Sequence, residues 1–198
     1  MQEIKAIVFD VGNTLLKTNA EAMWKKTNKV LGLKGKRERK ASRRLEELFQ
    51  RGKISFKEFL EKTFGKRIGK KDFFGITNIW ERENKPNKRM IRIAKKLKKK
   101  YRIALVSNTN KVHAEANRRL GYYRLFPVQV MSNEVKTIKP GKKIYKILLR
   151  KLKTKARETV FFDDIKENVL SAKRLGIKAF VFESPEKMEK QLKELGVS

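Results

Sequence analysis

The chain of 198 residues has no cysteine, one histidine and few acids: 21 Asp and Glu stand against 52 Lys and Arg. Without cysteine there is no disulfide framework and no thiolate metal site, which fits a reducing compartment. No apolar run approaches the ~20 residues that a membrane helix needs, and Met1–Lys5 lacks the charged-then-apolar layout of a signal peptide. These absences predict a soluble, cytoplasmic protein. The shortage of acids leaves a net charge of +31. Such a charge suits a polyanionic partner, nucleic acid or a ribonucleoprotein surface, or it is the solvated exterior of a lysine-heavy chain; the lysines are spread out rather than gathered in one stripe.

What is present begins with Ile7-Val8-Phe9-Asp10-Val11-Gly12-Asn13-Thr14-Leu15-Leu16. An apolar run that stops at a carboxylate and turns through Gly12 and Asn13 reads as a buried strand delivering an aspartate into a loop. Residues 17–87 then read as helices without a strand. Asn19 caps the first, which ends at Gly32; the second runs from Lys36 to Gln50. Ser55 and Glu58 form a capping box for the third, which stops at Gly65, and Asp72 caps a fourth that carries Ile76 and Trp80.

From Lys88 the pattern alternates. Helices are expected at 88–100, 111–120, 140–152, 165–175 and 185–195, and strands at 103–106, 128–131, 159–162 and 179–182. Short apolar strands alternating with helices predict an α/β fold, a Rossmann-like doubly wound parallel sheet. The core is residues 1–16 and 88–198, interrupted by a small all-α insertion, residues 17–87.

In such a sheet the carboxyl ends of the strands meet at one rim, where ligands bind. Asp10, Ser107-Asn108, Lys139-Pro140 and Asp163-Asp164 all follow strands or open the helix after one. Three carboxylates without Cys or His partners are hard oxygen ligands suited to Mg²⁺, and with Lys139 they balance to zero charge once that ion is bound. Asp10, ionised near neutrality, can attack phosphorus without a base, while Lys139, Ser107 and the amide of Asn108 hold the transferring oxygens.

With these residues assembled, the chain resembles the haloacid dehalogenase superfamily of aspartate-nucleophile hydrolases. Four motifs occur in order: Phe9-Asp10-Val11-Gly12-Asn13-Thr14, Val106-Ser107-Asn108-Thr109, Lys139-Pro140 with Ile144-Tyr145, and Phe161-Phe162-Asp163-Asp164 with Asn168. The resemblance implies that the first strand is central, that the helical insertion is a cap closing over the crevice, and that Mg²⁺ is held by Asp10, the Gly12 carbonyl and Asp164, with Asp163 either behind these ligands or acting through water. Most phosphatases of the superfamily carry an aspartate where this chain has Gly12. Losing that proton-moving group lowers turnover by about 10²–10⁴-fold, or passes its work to a cap residue or water.

A closer resemblance is to the sugar-phosphate phosphatase branch of the α-glucose-1-phosphate phosphatase type, whose first motif also reads Asp-x-Gly-Asn. The expectation is therefore a Mg²⁺-dependent phosphatase of a small phosphorylated metabolite, acting through an aspartyl-phosphate. One alternative is a basic module of this fold that binds RNA or a ribonucleoprotein with little turnover; another is a 2-haloacid dehalogenase-type hydrolase. His113 is expected along the flank of the sheet, in a structural role. Trp24, Trp80 and Phe49 are expected as core of the insertion, and Asn13, Thr14 and Asn168 as loop-fixing groups.

Overall fold

A computed structural model describes residues 3–35 and 39–197. Five strands form a parallel sheet in the order β5-β4-β1-β6-β7: β1 (Ala6–Phe9), β4 (Arg102–Ser107), β5 (Val128–Met131), β6 (Thr159–Asp163) and β7 (Lys178–Val181). The first strand is central. Its residues are all fully buried because alternate side chains enter two different cores. Ile7 and Phe9 pack with Leu105 and Phe162 against α5 (Lys88–Leu97) and α10 (Pro185–Glu194); Ala6 and Val8 pack with Val106 and Phe161 against α8 (Lys142–Leu152) and α9 (Lys166–Lys173). Each such aliphatic or aromatic side chain contributes about 1.5–3 kcal/mol by leaving water, which makes the middle of this sheet a stiff mount for whatever follows its strand ends.

Between β1 and α5 lie four helices, α1 (Ala20–Val30), α2 (Arg43–Gln50), α3 (Phe56–Phe64) and α4 (Lys70–Arg82). They enclose a third core that includes Trp24, Phe49, Phe59, Leu60, Ile76 and Trp80. The buried Trp80 indole donates to Thr27 Oγ1 at 3.1 Å, so the ring's one polar atom is satisfied. The expected capping box is formed: Ser55 accepts from Glu58 N and Glu58 accepts from Ser55 N.

Several elements differ from expectation. Residues 17–87 are not purely helical, since Leu16–Lys17 (β2) and Lys85–Pro86 (β3) pair antiparallel where the chain leaves and rejoins the sheet. The helix expected from Lys36 begins at Arg43, capped by Ser42; residues 36–38 lie outside the described residues. Asn28 pins Arg39 through both backbone groups, at 2.9 and 2.8 Å, which engages with a side chain the groups that a helix would have paired internally, and residues 39–42 are not helical. Gly69, not Asp72, caps α4; Asp72 falls in its first turn, where a carboxylate still suits the positive helix end. A short helix, α7 (Ser132–Val135), follows β5, and α8 starts two residues after Pro140. Completing the elements, α6 (Lys111–Arg119) follows β4. Among the described residues, no helix is long and apolar enough to cross a membrane.

Candidate active site

Asp10 stands one residue beyond the pairs Phe9/Leu105 and Phe9/Phe162, with its amide donating to Phe162 O at 2.8 Å. The ladder thus extends into the loop and fixes the Asp10 backbone level with Asp163. The chain then turns back at once: Leu15 N and Leu16 N both donate to Val11 O, and Asn13 takes a left-handed φ of 51°. That turn aims the Asn13 amide at Asp164, whose Oδ2 accepts from it at 3.1 Å.

Lys139 enters from the loop after α7, and its side chain is 1% exposed. Its ammonium has three protons and finds three acceptors: Asp10 Oδ1 at 2.5 Å, Asp163 Oδ2 at 2.5 Å and Val106 O at 3.1 Å. Its backbone is held by Asn108, whose side chain donates to Lys139 O at 2.9 Å and accepts from Lys139 N at 2.7 Å. The Asn108 side chain thus braces Lys139 through both its oxygen and its nitrogen while lining the cavity, and these two bonds use one of the two protons on its amide nitrogen. Ser107, the last residue of β4, is buried and lines the cavity.

Asp163 is wholly buried and saturated. Its Oδ1 accepts from Ile165 N at 2.9 Å and Asn168 Nδ2 at 3.0 Å, and its Oδ2 from Lys139 Nζ and Asn168 Nδ2. Asp10, Asp163 and Asp164 each bring an oxygen within 4.8 Å of the others. Three carboxylates less one ammonium leave two negative charges at this point, a hard oxygen set whose charge and chemistry fit a divalent cation. Burial lifts the Asp10 carboxyl well above the ordinary carboxylate range, with Lys139 opposing and Asp163 reinforcing. Burial alone would lower the Lys139 ammonium, but the two carboxylates beside it prevail and hold it above its usual value. Asp164 is also raised by burial, against the pull of Asn13.

These groups open into a cavity of about 670 Å³ between the sheet's rim and the helical segment. The far wall is one face of α2, with Arg43, Glu46, Glu47 and Gln50 at helical spacing. Sequence reasoning missed this wall: a polar stripe opposite Leu45, Leu48 and Phe49 reads equally as a solvated face, and only the packing of the segment turns it inward. His113 also corrects its expected place. It lines the cavity, stacks on Trp80 with ring centroids 5.4 Å apart and an interplanar angle of 24°, and has its Nδ1 3.3 Å from the Asn110 amide. Burial pushes its imidazole down to about 4, with the Trp80 backbone opposing. Trp24 and Trp80 belong to the helical core, and Phe49 joins them.

A parallel α/β sheet with a polar rim of this kind, facing a helical wall, defines an enzyme with its site at the strand ends. The model of the haloacid dehalogenase-like hydrolases matches residues 4–176, and the chain belongs to that family. A phosphorylated carbohydrates phosphatase of Thermotoga maritima is 36% identical over 80 residues, which span 40% of this chain and 37% of that protein. A predicted HAD-like family hydrolase from Porphyromonas gingivalis shares the fold at a TM-score of 0.80 and 23% identity, covering 100% of both chains. A HAD family enzyme of Bacteroides thetaiotaomicron, in complex with magnesium and inorganic phosphate, superimposes at a TM-score of 0.73 and 23% identity over 92% of this chain and 96% of that one.

Proposed function

We propose that this hydrolase is a Mg²⁺-dependent phosphatase of small phosphorylated, polyhydroxylated metabolites, with residues 17–87 acting as its cap. The observation that carries the reading is Asp10 at the end of the central strand, in a substrate-sized cavity, held by a buried lysine beside two further carboxylates.

Asp10 would attack phosphorus in line, forming an aspartyl-phosphate that water then hydrolyses. Lys139 fixes the Asp10 carboxylate and places a positive charge where negative charge gathers on the transferring oxygens. Asp163, with no exposed surface, orients Lys139 rather than reaching substrate. Asp10, Asp164 and the Gly12 carbonyl are the groups that would hold Mg²⁺, and the ion would supply charge neutralisation for the phosphoryl group. Ser107 would donate to a phosphate oxygen. The polar face of α2 suits a leaving group rich in hydroxyls, and the Thermotoga relative, named for phosphorylated carbohydrates, supports the same class.

The test is phosphate release by purified protein with Mg²⁺ from a panel of sugar phosphates and an aryl phosphate. Wild type should turn over members of the panel and Asp10→Asn should lose at least about 10³-fold. Full activity in Asp10→Asn, or none in wild type, refutes the reading.

A further inference from the structure

We propose that Glu46, on the cavity face of α2, is the proton donor to the departing alcohol and the proton acceptor from the water that follows. The inference rests on the phosphatase reading above and supplies a group that the floor of the cavity lacks.

An alkoxide is a poor leaving group and needs a proton as the P–O bond breaks. On the floor, each group is already engaged. Asp10 is the nucleophile, Asp163 accepts at both oxygens, and all three protons of Lys139 are taken by acceptors. Asp164 is bound to Asn13 and belongs to the proposed cation set. Position 12 is glycine and moves no proton. His113 lines the cavity, yet its Nε2 is a buried atom with less than 1 Å² of accessible surface.

In-line displacement puts the leaving oxygen on the side of phosphorus away from Asp10, and so toward the wall that the helical segment builds. Two carboxylates stand on that wall. Glu47 is paired with Arg43 at 3.4 Å. Glu46 has no ion-pair partner among the described residues, and burial lifts its carboxyl above the ordinary value, which helps it carry a proton. The other cavity carboxylate, Glu167, is exposed and sits in the first turn of α9, on the floor side beside Asp164.

The steps balance. Asp10 forms the new P–O bond as the ester P–O bond breaks, and protonated Glu46 gives its proton to the alkoxide, releasing the alcohol. Water then takes the vacated in-line position and passes a proton to the Glu46 carboxylate as it attacks phosphorus. The aspartyl P–O bond breaks, freeing phosphate and leaving Glu46 protonated again.

The experiment compares kcat/KM for a sugar phosphate and for 4-nitrophenyl phosphate, whose phenolate leaves without a proton. Glu46→Gln should lose about 10²-fold or more on the sugar ester and at least ten times less on the aryl ester. The limb of the sugar-ester pH profile that requires a protonated group should disappear in the same variant. Gly12→Asp in the Glu46→Gln background should recover about tenfold or more on the sugar ester. A Cβ at Gly12 meets only Asp10 Oδ2, at 3.9 Å, so the added side chain has room. Equal losses on both esters, or no loss on the sugar ester, overturn the proposal while wild-type turnover and the Asp10→Asn loss leave the phosphatase reading standing. A wild type that cleaves neither ester overturns both. Glu46 makes no side-chain hydrogen bond among the described residues, so the variant should melt with the wild type.

Discussion

Replacing Lys139 with methionine tests whether the site is an electrostatic unit. Methionine keeps most of the length and volume of the lysine stem, so the change removes the charge without opening a cavity. In the wild type one ammonium lies 2.5 Å from each of two carboxylates whose side chains are 8% and 0% exposed. Removing it leaves two buried carboxylates with no cation between them. Breaking a buried pair in this way costs about 3–5 kcal/mol, and at about 2–4 °C per kcal/mol for a chain of this size, the melting temperature should fall by about 6–20 °C.

The pH dependence separates this cause from simple misfolding. Asp10 already has a folded-state pKa raised above its unfolded value, chiefly by burial, and loss of Lys139 must raise it further. A carboxyl raised in the folded state favours folding only while it is protonated, so its penalty grows as pH climbs above the ordinary carboxylate value. The raised Lys139 ammonium titrates only at alkaline pH and does not intrude. Urea unfolding without added metal should therefore show a gap between wild type and Lys139→Met that is full near pH 8 and narrows toward pH 5. A gap below about 1 kcal/mol, or one that stays constant across that range, would refute the reasoning.

Saturating Mg²⁺ should raise the wild-type melting temperature more at pH 8 than at pH 5.5, because binding must strip protons from the raised carboxyls of Asp10 and Asp164; an equal rise at both values counts against the proposed ligand set. His113, pushed down to about 4 by burial, is neutral in the fold while the unfolded chain charges near 6.5. Stability should then fall as pH drops through that window, by at most about 3 kcal/mol, and His113→Gln should flatten the curve measured by thermal melts. Gly52 has a φ of +60°, and a Cβ there would lie 2.5 Å from the Asn133 carbonyl oxygen, so Gly52→Ala should cost about 1–3 kcal/mol in urea unfolding; a neutral result would mean that this seam between segment and core yields freely.

The sheet was legible because its strands are buried on both faces and so are written as unbroken apolar runs, as in Ile103–Val106 and Val160–Phe162. Helix ends marked by Asn19, Ser55 and Gly65 were legible because caps act within a few residues of sequence. What escaped were features decided at long range. The late start of α2 depends on Asn28 gripping Arg39, and the two-residue pairing of β2 with β3 depends on two chain segments meeting. At the site, the rim position of Asp10, Lys139, Asp163 and Asp164 follows from strand order. The work of Asn108 does not, since its partner Lys139 lies 31 residues away. The inward turn of the Arg43-Glu46-Glu47-Gln50 face is also invisible in periodicity, which distinguishes polar from apolar sides but not which polar side meets a cavity.

The open space beside Gly12 has a consequence for how this protein can change. Every glycine codon lies a single base from a codon for aspartate or glutamate, and position 12 is not among the glycines with positive φ. Neither the genetic code nor the packing therefore bars an acidic side chain from appearing beside Asp10. The protein stands one mutational step from a site with a proton carrier on its rigid floor as well as on its helical wall, and a lineage taking that step could let the wall diverge toward new leaving groups without first losing turnover.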